Sequence, residues 1–422
     1  MCIRDSFGTK ENLYNDPDGF FLPPPKPRLH ELYYVNAARK ANIKVIPSRL
    51  SVVTKRINND RGVCFYCNGC ARSCNVYADF SSGSCLIFPA QNAGGQIDLF
   101  VNSMVRTVET NAEGKATGVS YINKDDGIEY KLRGKVVVLA ASACSSARIL
   151  LNSKSKQHPN GLGNSSDLVG KYLHDSTGGD MMAFLPQLTN RKTYNEDGVG
   201  GMHVYSPWWL DNKSLDFPRG YHIEVWGGMG APSYGTGFNV NHFNKFFGLK
   251  AGGYGDILRS DMKKYYGSTI GFSGRGESVA MKSNYCEIDP NKVDKYGVPV
   301  LRFNYKWTDY EIKQAKHMQD TFEEIIHNMG GQPLWNKPGV ESNYGLTKPG
   351  EIIHEVGTTR MGNNPKKSVV DKFERMHDVD NVFVVDAGPF VSQADKNPTW
   401  TIMALAWRAS DHIVSEFKKQ NF

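Results

Sequence analysis

The chain has 422 residues, 40% of them hydrophobic and 11% aromatic, which is enough for a sizeable core divided into two or three domains. Its 50 Lys and Arg residues against 43 Asp and Glu residues give a net charge of +7, and no basic run concentrates that excess, so nucleic-acid binding is not indicated. No apolar run reaches the roughly 18 residues that a membrane-spanning helix needs, so no span is predicted.

The N-terminus reads MCIRDSFGTKENLYNDPDG and lacks the basic start and apolar stretch of a secretion signal. MCIRDS resembles a translated sequencing adapter. Residues 1–6 are therefore interpreted as a non-native extension, and the natural N-terminus is expected to be missing. On this interpretation the sequence predicts no compartment.

The first half of the chain begins with an extended proline-rich connector at 22–28, a helix at 31–41 and a short strand at 43–47. After an irregular cysteine-containing loop, strands are predicted at IDLFV, MVRTVET, GVSYIN and YKLRGKVVVLAAS. The last of these is continuously apolar, as expected of a strand buried on both faces. SSARILLNSKS follows directly and predicts a helix.

Between about 176 and 340 the composition shifts to Gly, Tyr, Trp and Asn, with short turn-bounded strands such as YHIEVWGG and VPVLRFNYKW. A second, largely antiparallel domain is expected here. Within it, Thr308 and Glu311 form a capping box for a helix that Gly330 and Gly331 end. The predicted buried face of this helix is Ile312, Ala315, Met318, Phe322, Ile325 and Ile326.

The last segment predicts a buried strand, NVFVVD, and a helix from about 398 to 418, with Asn397 as N-cap and Pro398 at the first position. Its predicted buried stripe is Ile402, Leu405, Ala409, Ile413 and Phe417. Ligands of open α/β sheets bind at the carboxyl ends of strands, where Asp386 lies, and often against a helix N-terminus. These features predict a site for an anionic or electron-accepting group, although Asn397 can equally be only a cap.

Four of the eight cysteines lie within residues 64–74 and have the spacing C-x2-C-x2-C-x3-C: Cys64, Cys67, Cys70 and Cys74. This spacing is typical of ferredoxin-type iron-sulfur clusters. A zinc site is the nearest metal alternative, and a pair of disulfides is the structural one.

Three motifs occur in order near the C-terminus: HEVGTTRMG (354–362), VVDAG (384–388) and NPTWTIMALAWRASDHI (397–413). Together they resemble the C-terminal region of the glucose-methanol-choline (GMC) family of flavoprotein oxidoreductases. NSMVRTVE, KVVVLAASACSSARILLNS and GLGNSSDLVGKYLHD extend the resemblance upstream, so that it runs from about residue 60 to the end.

The resemblance implies an α/β fold with a Rossmann-like FAD-binding domain, at 7–175 and 341–422, that includes the cysteine loop. A substrate domain of α+β type, built on an antiparallel sheet, is expected at 176–340. The phosphate-binding fingerprint G-x-G-x-x-G is not found in the sequence. The first βαβ segment of the FAD-binding domain is therefore expected to be missing, which leaves open whether this chain binds FAD.

The resemblance also implies roles for single residues. His354 and Asn397 would face the flavin, with His354 taking the hydroxyl proton as base and Asn397 orienting the same oxygen. Val105 would meet the adenine. The positions that would contact the ribityl chain and the ring are Asp386, Ala387, Pro398 and Thr399.

The cysteine stretch is similar to that of bacterial membrane-linked sugar dehydrogenases of the same family, in which three cysteines hold a three-iron cluster. Cys64, Cys70 and Cys74 fit that spacing, leaving Cys67 extra. Such a cluster would pass electrons to a cytochrome, quinone or small subunit. The expected function is oxidation of the CH–OH group of a sugar, sugar acid or polyol with an acceptor other than oxygen.

Two other classes of protein remain open at this point. One is an iron-sulfur electron-transfer module that oxidises no alcohol. The other is a non-catalytic carbohydrate-binding or structural remnant of the family.

Overall fold

A computed structural model describes residues 22–48, 50–67, 69–70, 73–192, 202–229 and 254–422. The interpretation of residues 1–6 as an extension lies outside this described part. The α-helices are α1 (Leu29–Lys40), α2 (Phe88–Asn92), α3 (Ala143–Asn152), α4 (Asp256–Tyr265), α5 (Asp309–Met329) and α6 (Thr399–Lys418). A π-helix (Gly83–Ile87) runs into α2, and 3-10 turns occupy Pro186–Leu188, Trp208–Ser214 and Val340–Gly345.

The strands are short and follow one another in small groups along the chain. In chain order they are β1 (Ile46–Pro47), β2 (Ser103–Thr110), β3 (Ala116–Asn123), β4 (Glu129–Arg133), β5 (Val137–Leu139), β6 (Thr177–Phe184), β7 (Val204–Pro207), β8 (Tyr221–Gly227), β9 (Thr269–Gly276), β10 (Tyr285–Val293), β11 (Pro299–Asn304), β12 (Gln332–Pro333) and β13 (Val382–Val384).

The chain forms two compact units. The first contains Met1–Asp98, Gly178–Arg275 and Tyr310–Leu346, and the second contains Leu99–Thr177, Gly276–Asp309 and Thr347–Phe422. The predicted domains are 7–175 with 341–422, and 176–340. Their boundaries at 175 and 340 lie close to the observed boundaries after Thr177 and Leu346. The cysteine loop was predicted in the same domain as 341–422, however, whereas it lies in the unit that contains Gly178–Arg275, and the roles of the two units stay a prediction.

The first unit is built on a six-stranded sheet with the order β1-β7-β8-β9-β6-β12, in which the β1–β7, β7–β8 and β6–β12 pairs are antiparallel. Helices α1 and α5 cover one face. Phe272 of β9 lies between Tyr34 of α1, at a ring-centroid distance of 5.9 Å, and Phe322 of α5, at 5.8 Å. The apolar period of α5 predicted this contact, and its expected face is buried except for Ile312, which is half-buried.

The second unit holds three smaller sheets. They are the antiparallel sheet β2-β3-β4, the antiparallel pair β10–β11 and the parallel pair β5–β13. Helix α3 follows β5 after a short turn and packs in a core with residues from both strands of the parallel pair. The strand and helix predicted here from KVVVLAAS and SSARILLNSKS are confirmed.

Three predictions in this unit and its border are wrong. IDLFV at 97–101 is not a strand but an exposed connection. YKLRGKVVVLAAS forms two strands in different sheets, because β4 ends at Arg133, before Gly134, and β5 begins at Val137. Val138, expected to be buried, is 46% exposed, whereas its neighbours Val137 and Leu139 are buried in the core that contains α3.

The C-terminal helix α6 also differs from the prediction. Of its predicted buried stripe only Ala409 is fully buried, and Phe417 is 52% exposed. The N-cap residue is Pro398 and not Asn397, because the Pro398 carbonyl accepts the first helical hydrogen bond, from Ile402 N at 3.0 Å. No side-chain hydrogen bond caps this end of the helix. In the described residues no helix is both long and apolar enough to cross a bilayer.

Candidate active site

His354 lies in the second unit, in the irregular loop HEVGTTRMG that precedes β13, and it is half-buried. Contacts with Asp175 and Ser176 fix its position. Its backbone N–H donates to Asp175 Oδ1 at 2.9 Å, and its ring Nδ1 is 3.2 Å from Ser176 Oγ. Both the backbone and the ring of His354 are thus held by the segment that enters β6.

Asp175 is a buried carboxylate that accepts hydrogen bonds from backbone N–H groups of two segments. Besides His354 N it accepts Ser176 N at 2.7 Å on Oδ1 and Gly350 N at 3.2 Å on Oδ2. Burial raises the pKa of Asp175 to about 6, helped by the charge of Glu355, while the three N–H bonds oppose the rise. The carboxylate holds the loop that carries His354.

Ser176 Oγ connects His354 to a second buried polar residue. Gln393 Nε2 donates to Ser176 Oγ at 3.0 Å, and Gln393 is only 1% exposed. A serine oxygen can accept two hydrogen bonds and donate one, whereas an amide N–H only donates. Ser176 can therefore accept a hydrogen bond from His354 Nδ1 while it also accepts one from Gln393. In the neutral ring this tautomer leaves Nε2 unprotonated.

The His354 loop runs along the segment that follows β13. Gly357 N donates to Ala387 O at 3.1 Å, Thr359 N donates to Gly388 O at 2.9 Å, and Met361 N donates to Pro389 O at 2.8 Å. This pairing brings the histidine loop beside Asp386 and Ala387, which the sequence analysis predicted at the same site.

Gly357 is required where the loop turns toward the segment before β6. Its φ is +96°, and a Cβ at this position would lie 2.7 Å from His174 Nδ1 and closer still to the Tyr172 carbonyl. The backbone can approach Tyr172 only without a side chain at this position.

Asp386 stands at the carboxyl end of β13 and is buried. Its Oδ2 accepts from Ser146 Oγ of α3 at 2.5 Å and its Oδ1 accepts from Gly388 N at 2.8 Å. Burial raises the pKa of Asp386, and the bond from Ser146 works against the rise. The parallel pair β5–β13 and helix α3 thus meet at one edge, as in α/β sheets that bind ligands at the carboxyl ends of strands.

The remaining predicted contacts lie at the start of α6. Pro398 is half-buried, Thr399 is the first residue of the helix and exposed, and Asn397 is exposed. Asn397 follows Gln393 by four residues, so the same short segment carries both the partner of Ser176 and the predicted second polar group.

A cavity of about 670 Å³ lies in the second unit, between β2, β5 and the first turns of α3. Val105, the predicted adenine contact, lines it together with Arg106, Val119, Val137, Ala141 and Ser145. Its walls are mostly apolar, and it reaches the turn that leads from β5 into α3.

The four clustered cysteines lie in the first unit and line one small cavity with Val52, Val76 and Ala78. All four are free thiols, and Tyr66 N donates to Cys64 Sγ at 3.4 Å. Burial raises the pKa of the Cys64 thiol. Soft thiolate donors suit iron or zinc, yet among the described residues no group of three or more His, Cys, Asp or Glu side chains is arranged to hold a metal ion.

Asp175, Ser176 and Gln393 were not predicted from the sequence. Asp175 is the last residue of the motif GLGNSSDLVGKYLHD and Ser176 follows it, but 179 and 178 positions separate them from His354. Only a contact between distant segments reveals their role. Buried polar residues of this kind carry no local periodic signal.

Two family models described as GMC oxidoreductase match residues 33–177 and 282–406. The chain is 32% identical over 76% of its length to 2-methyl-1,2-propanediol dehydrogenase of Mycolicibacterium austroafricanum. It is 25% identical over 83% of its length to the fructose dehydrogenase large subunit of Gluconobacter japonicus, and 26% identical over 84% to the gluconate 2-dehydrogenase flavoprotein of Pantoea cypripedii. It covers 55%, 60% and 56% of these three relatives.

Among solved structures, pyridoxine 4-oxidase from Mesorbium loti matches with a TM-score of 0.61 at 14% identity, covering 90% of this chain and 69% of that one. Formate oxidase of Aspergillus oryzae matches with a TM-score of 0.53 at 14% identity, covering 75% of this chain and 60% of that one. At this identity the likeness concerns the fold.

Proposed function

Since this chain belongs to the GMC oxidoreductase family, we propose that it acts as a dehydrogenase on the CH–OH group of a sugar, sugar acid or polyol. Bound FAD would supply the acceptor for the hydride. The observation that carries the proposal is the setting of His354, which Asp175 and Ser176 hold by backbone and ring. The names of the three relatives, which refer to a diol, fructose and gluconate, support the substrate class.

His354 is proposed as the base that takes the hydroxyl proton. In the tautomer that suits this role Nδ1 carries the ring proton and donates to Ser176 Oγ, and Nε2 accepts the substrate proton. Gln393 occupies one lone pair of Ser176, and the second lone pair remains to accept from Nδ1 in this tautomer. Asn397 is proposed to bond the same substrate oxygen and to orient the carbon that loses hydride.

The residues of the second unit fit FAD in two respects. The cavity beside Val105 offers apolar walls to an adenine. The edge formed by Asp386, Ala387 and the start of α6 has the strand-end and helix-start arrangement that flavin and nucleotide ligands use. Val105, Asp386, Ala387, Pro398 and Thr399 are therefore proposed to hold the cofactor.

Electrons are proposed to leave to an acceptor other than oxygen, such as a cytochrome or a small subunit. The name of one relative, a large subunit, is consistent with a partner chain. Cys64, Cys67, Cys70 and Cys74, all among the described residues, share a small cavity but are not arranged to hold a metal ion, so no electron transfer is routed through them. Their spacing is what favours a second candidate function, in which the chain only transfers electrons.

Purified chain incubated with FAD under anaerobic conditions would separate these possibilities. Flavin absorbance that is retained after gel filtration and bleaches on addition of D-sorbitol, D-fructose or D-gluconate is the expected result. Iron and sulfide without any bleaching would favour the electron-transfer module. Retention of FAD with no bleaching and no iron would contradict both functions.

The choice between dehydrogenase and oxidase needs a separate measurement. The reduced protein is mixed either with air or with an artificial electron-acceptor dye, and peroxide and dye reduction are followed. Rapid dye reduction with little peroxide is expected. Stoichiometric peroxide at a comparable rate would show an oxidase.

A further inference from the structure

The second unit holds a pair of thiols that the proposed function does not use. Cys144 is in the first turn of α3 and is half-buried, whereas Cys286 is in β10 and only 1% exposed. Both are free cysteines, and their thiols share a hydrogen bond. The two residues come from segments far apart in the sequence, so it is the fold that brings them together.

The position of α3 on the β10–β11 hairpin accounts for this contact. Arg148 Nη2 donates to Asp294 Oδ2 and to Val298 O, each at 2.8 Å. Arg148 Nε donates to Pro299 O at 2.7 Å. These bonds fix α3 to the turn that joins the two strands. Since Cys144 precedes Arg148 by four residues, it lies on the same side of the helix, one turn nearer the N-terminus, and faces the same hairpin.

Cys286 is held in place by its own neighbours. Its backbone N–H donates to Gly170 O at 2.9 Å, and it pairs with Phe303 of β11. Gly170 has φ +85°, and a Cβ built on it would lie 3.4 Å from Cys286 Sγ and closer still to the Cys286 carbonyl. The Cys286 thiol belongs to the core that also contains residues of α3, and Cys144 packs against that core.

A pair of thiols in contact differs chemically from a single buried cysteine. One buried cysteine acts as a small apolar side chain. Two cysteines whose sulfur atoms already touch can form a disulfide with little movement of the backbone, because the bond requires close Cβ atoms and side chains that point toward each other.

We propose that Cys144 and Cys286 form a redox modification site, which a peroxide converts into a disulfide that links α3 to β10. Cys144 is half-buried and is therefore the thiol that the peroxide reaches. Its thiolate attacks one peroxide oxygen, the O–O bond breaks, and a sulfenic acid and one water form. The Cys286 sulfur then displaces the sulfenic oxygen, which leaves as a second water. Two thiols are thus oxidised to one disulfide while one peroxide is reduced to two waters.

This oxidation is expected to be slow, because only the thiolate reacts. The hydrogen bond with Cys286 raises the pKa of the Cys144 thiol, and burial and the charges of Glu355 and Asp175 raise it further. The pair therefore responds to a sustained excess of peroxide, and its product is a structural cross-link.

The disulfide would restrain the first turn of α3, which contacts the His354 loop. Thr358 Oγ1 donates to Ala143 O at 2.6 Å, beside Cys144. A cross-link between segments far apart in the sequence stabilises a fold mainly by restricting the unfolded chain. The oxidised chain should therefore unfold at a temperature higher by about 5 °C than the reduced chain.

Treatment of the folded chain with hydrogen peroxide tests the proposal. Peroxide is removed, the remaining thiols are blocked with N-ethylmaleimide in urea, and a tryptic digest is analysed by mass spectrometry without reduction. Trypsin places Cys144 and Cys286 in separate peptides, 136–148 and 283–292, each with one cysteine. The expected product is these two peptides linked, with a mass lower than their sum by two hydrogen atoms. Dithiothreitol should separate them and reverse the rise in unfolding temperature.

Cys85→Ser is the matched control, because Cys85 is a half-buried free cysteine of the first unit. It should keep both the linked product and the rise in unfolding temperature, whereas Cys144→Ser and Cys286→Ser should each lose both. If Cys286→Ser is not folded, Cys144→Ser at the half-buried position still gives the result.

The proposal is overturned if Cys144 is found only blocked by N-ethylmaleimide, only as sulfinic or sulfonic acid, or linked to a cysteine other than Cys286. An equal rise in unfolding temperature in Cys144→Ser would also overturn it. The test requires neither flavin nor substrate, so its failure leaves the proposed function untouched.

Discussion

Ser176 orients the ring of His354, since its hydroxyl lies between His354 Nδ1 and the Gln393 amide. Ser176→Ala should slow flavin reduction by about 10-fold and move the pH at which the rate is half-maximal, because the ring loses the group that orients it. Ser176→Thr keeps the hydroxyl and should restore both. Rates measured from pH 5 to 9 check this, and an unchanged pH profile in Ser176→Ala would contradict it.

Asp175 should make stability depend on pH. Its pKa is raised by burial and by Glu355 to about 6 in the folded chain, above its value in the unfolded chain. A carboxyl of this kind contributes stability that is fully present below its unfolded pKa and is lost as the pH rises through 6. The loss is on the order of 3 kcal/mol.

Comparison with Asp175→Asn isolates this effect, because the amide keeps an acceptor but does not ionise. Urea unfolding at pH 5 and pH 7 should show that the parent chain gains stability relative to the variant at the lower pH. Parallel changes in the two proteins would mean that other groups cause the pH dependence.

The motif residues were predictable from the sequence, whereas the buried polar residues that hydrogen-bond to them were not. His354 and Asp386 stand in recognisable motifs, and the structure brings their segments together through the bonds between 357–361 and 387–389. Asp175 and Gln393 contact the His354 loop and Ser176 from positions far away in the sequence. No local pattern distinguishes such buried polar residues from exposed ones.

The conformation of the His354 loop depends on Gly357. Gly357→Ala should lower the free energy of unfolding by roughly 2–4 kcal/mol, because it combines a positive φ with a collision at Tyr172 and His174. Gly297→Ala is the matched control, since Gly297 has φ +77° and no atom within 4 Å of a built Cβ. It should cost only about 1 kcal/mol.

Urea unfolding of both glycine variants measures these costs. Equal losses in the two variants would mean that conformational strain alone matters at Gly357 and that the loop does not press against Tyr172. A larger loss at Gly357 together with slower flavin reduction is the expected result.

Element types were predictable where one strong period extends over many residues. The 21-residue helix α5 is the example, with its apolar face packed on the sheet. Short apolar runs were less informative. The run at 136–144 gives a strand of three residues, Val137–Leu139, followed by a helix, and IDLFV gives no strand. Apolar character indicates burial, but partners outside the run decide whether it occurs.

Helix α6 exposes a row of large apolar side chains at intervals of seven and three residues, which bears on association between molecules. They are Trp400, Trp407, Val414 and Phe417, and Trp407 is 74% exposed. An apolar helix face of this kind favours association. The purified chain should therefore show a mass that rises with concentration, and Trp407→Lys should reduce that rise.

Light scattering after size-exclusion chromatography measures this effect. Tyr254→Lys is the control, since Tyr254 is an aromatic residue of the first unit that is 96% exposed. It should leave the association unchanged. A monomer at all concentrations would show that the α6 face does not drive association.

The rate of anaerobic flavin reduction by D-sorbitol is the most direct test of whether His354 is the base in oxidation of a CH–OH group. The chain loaded with FAD is compared with His354→Gln and with His158→Gln, a histidine of the same unit whose ring contacts the Gly114 carbonyl at 3.2 Å. His354→Gln should retain flavin and slow reduction by about 10²- to 10⁴-fold, while His158→Gln stays near the parent rate. Equal rates in all three proteins would show that His354 is not the base.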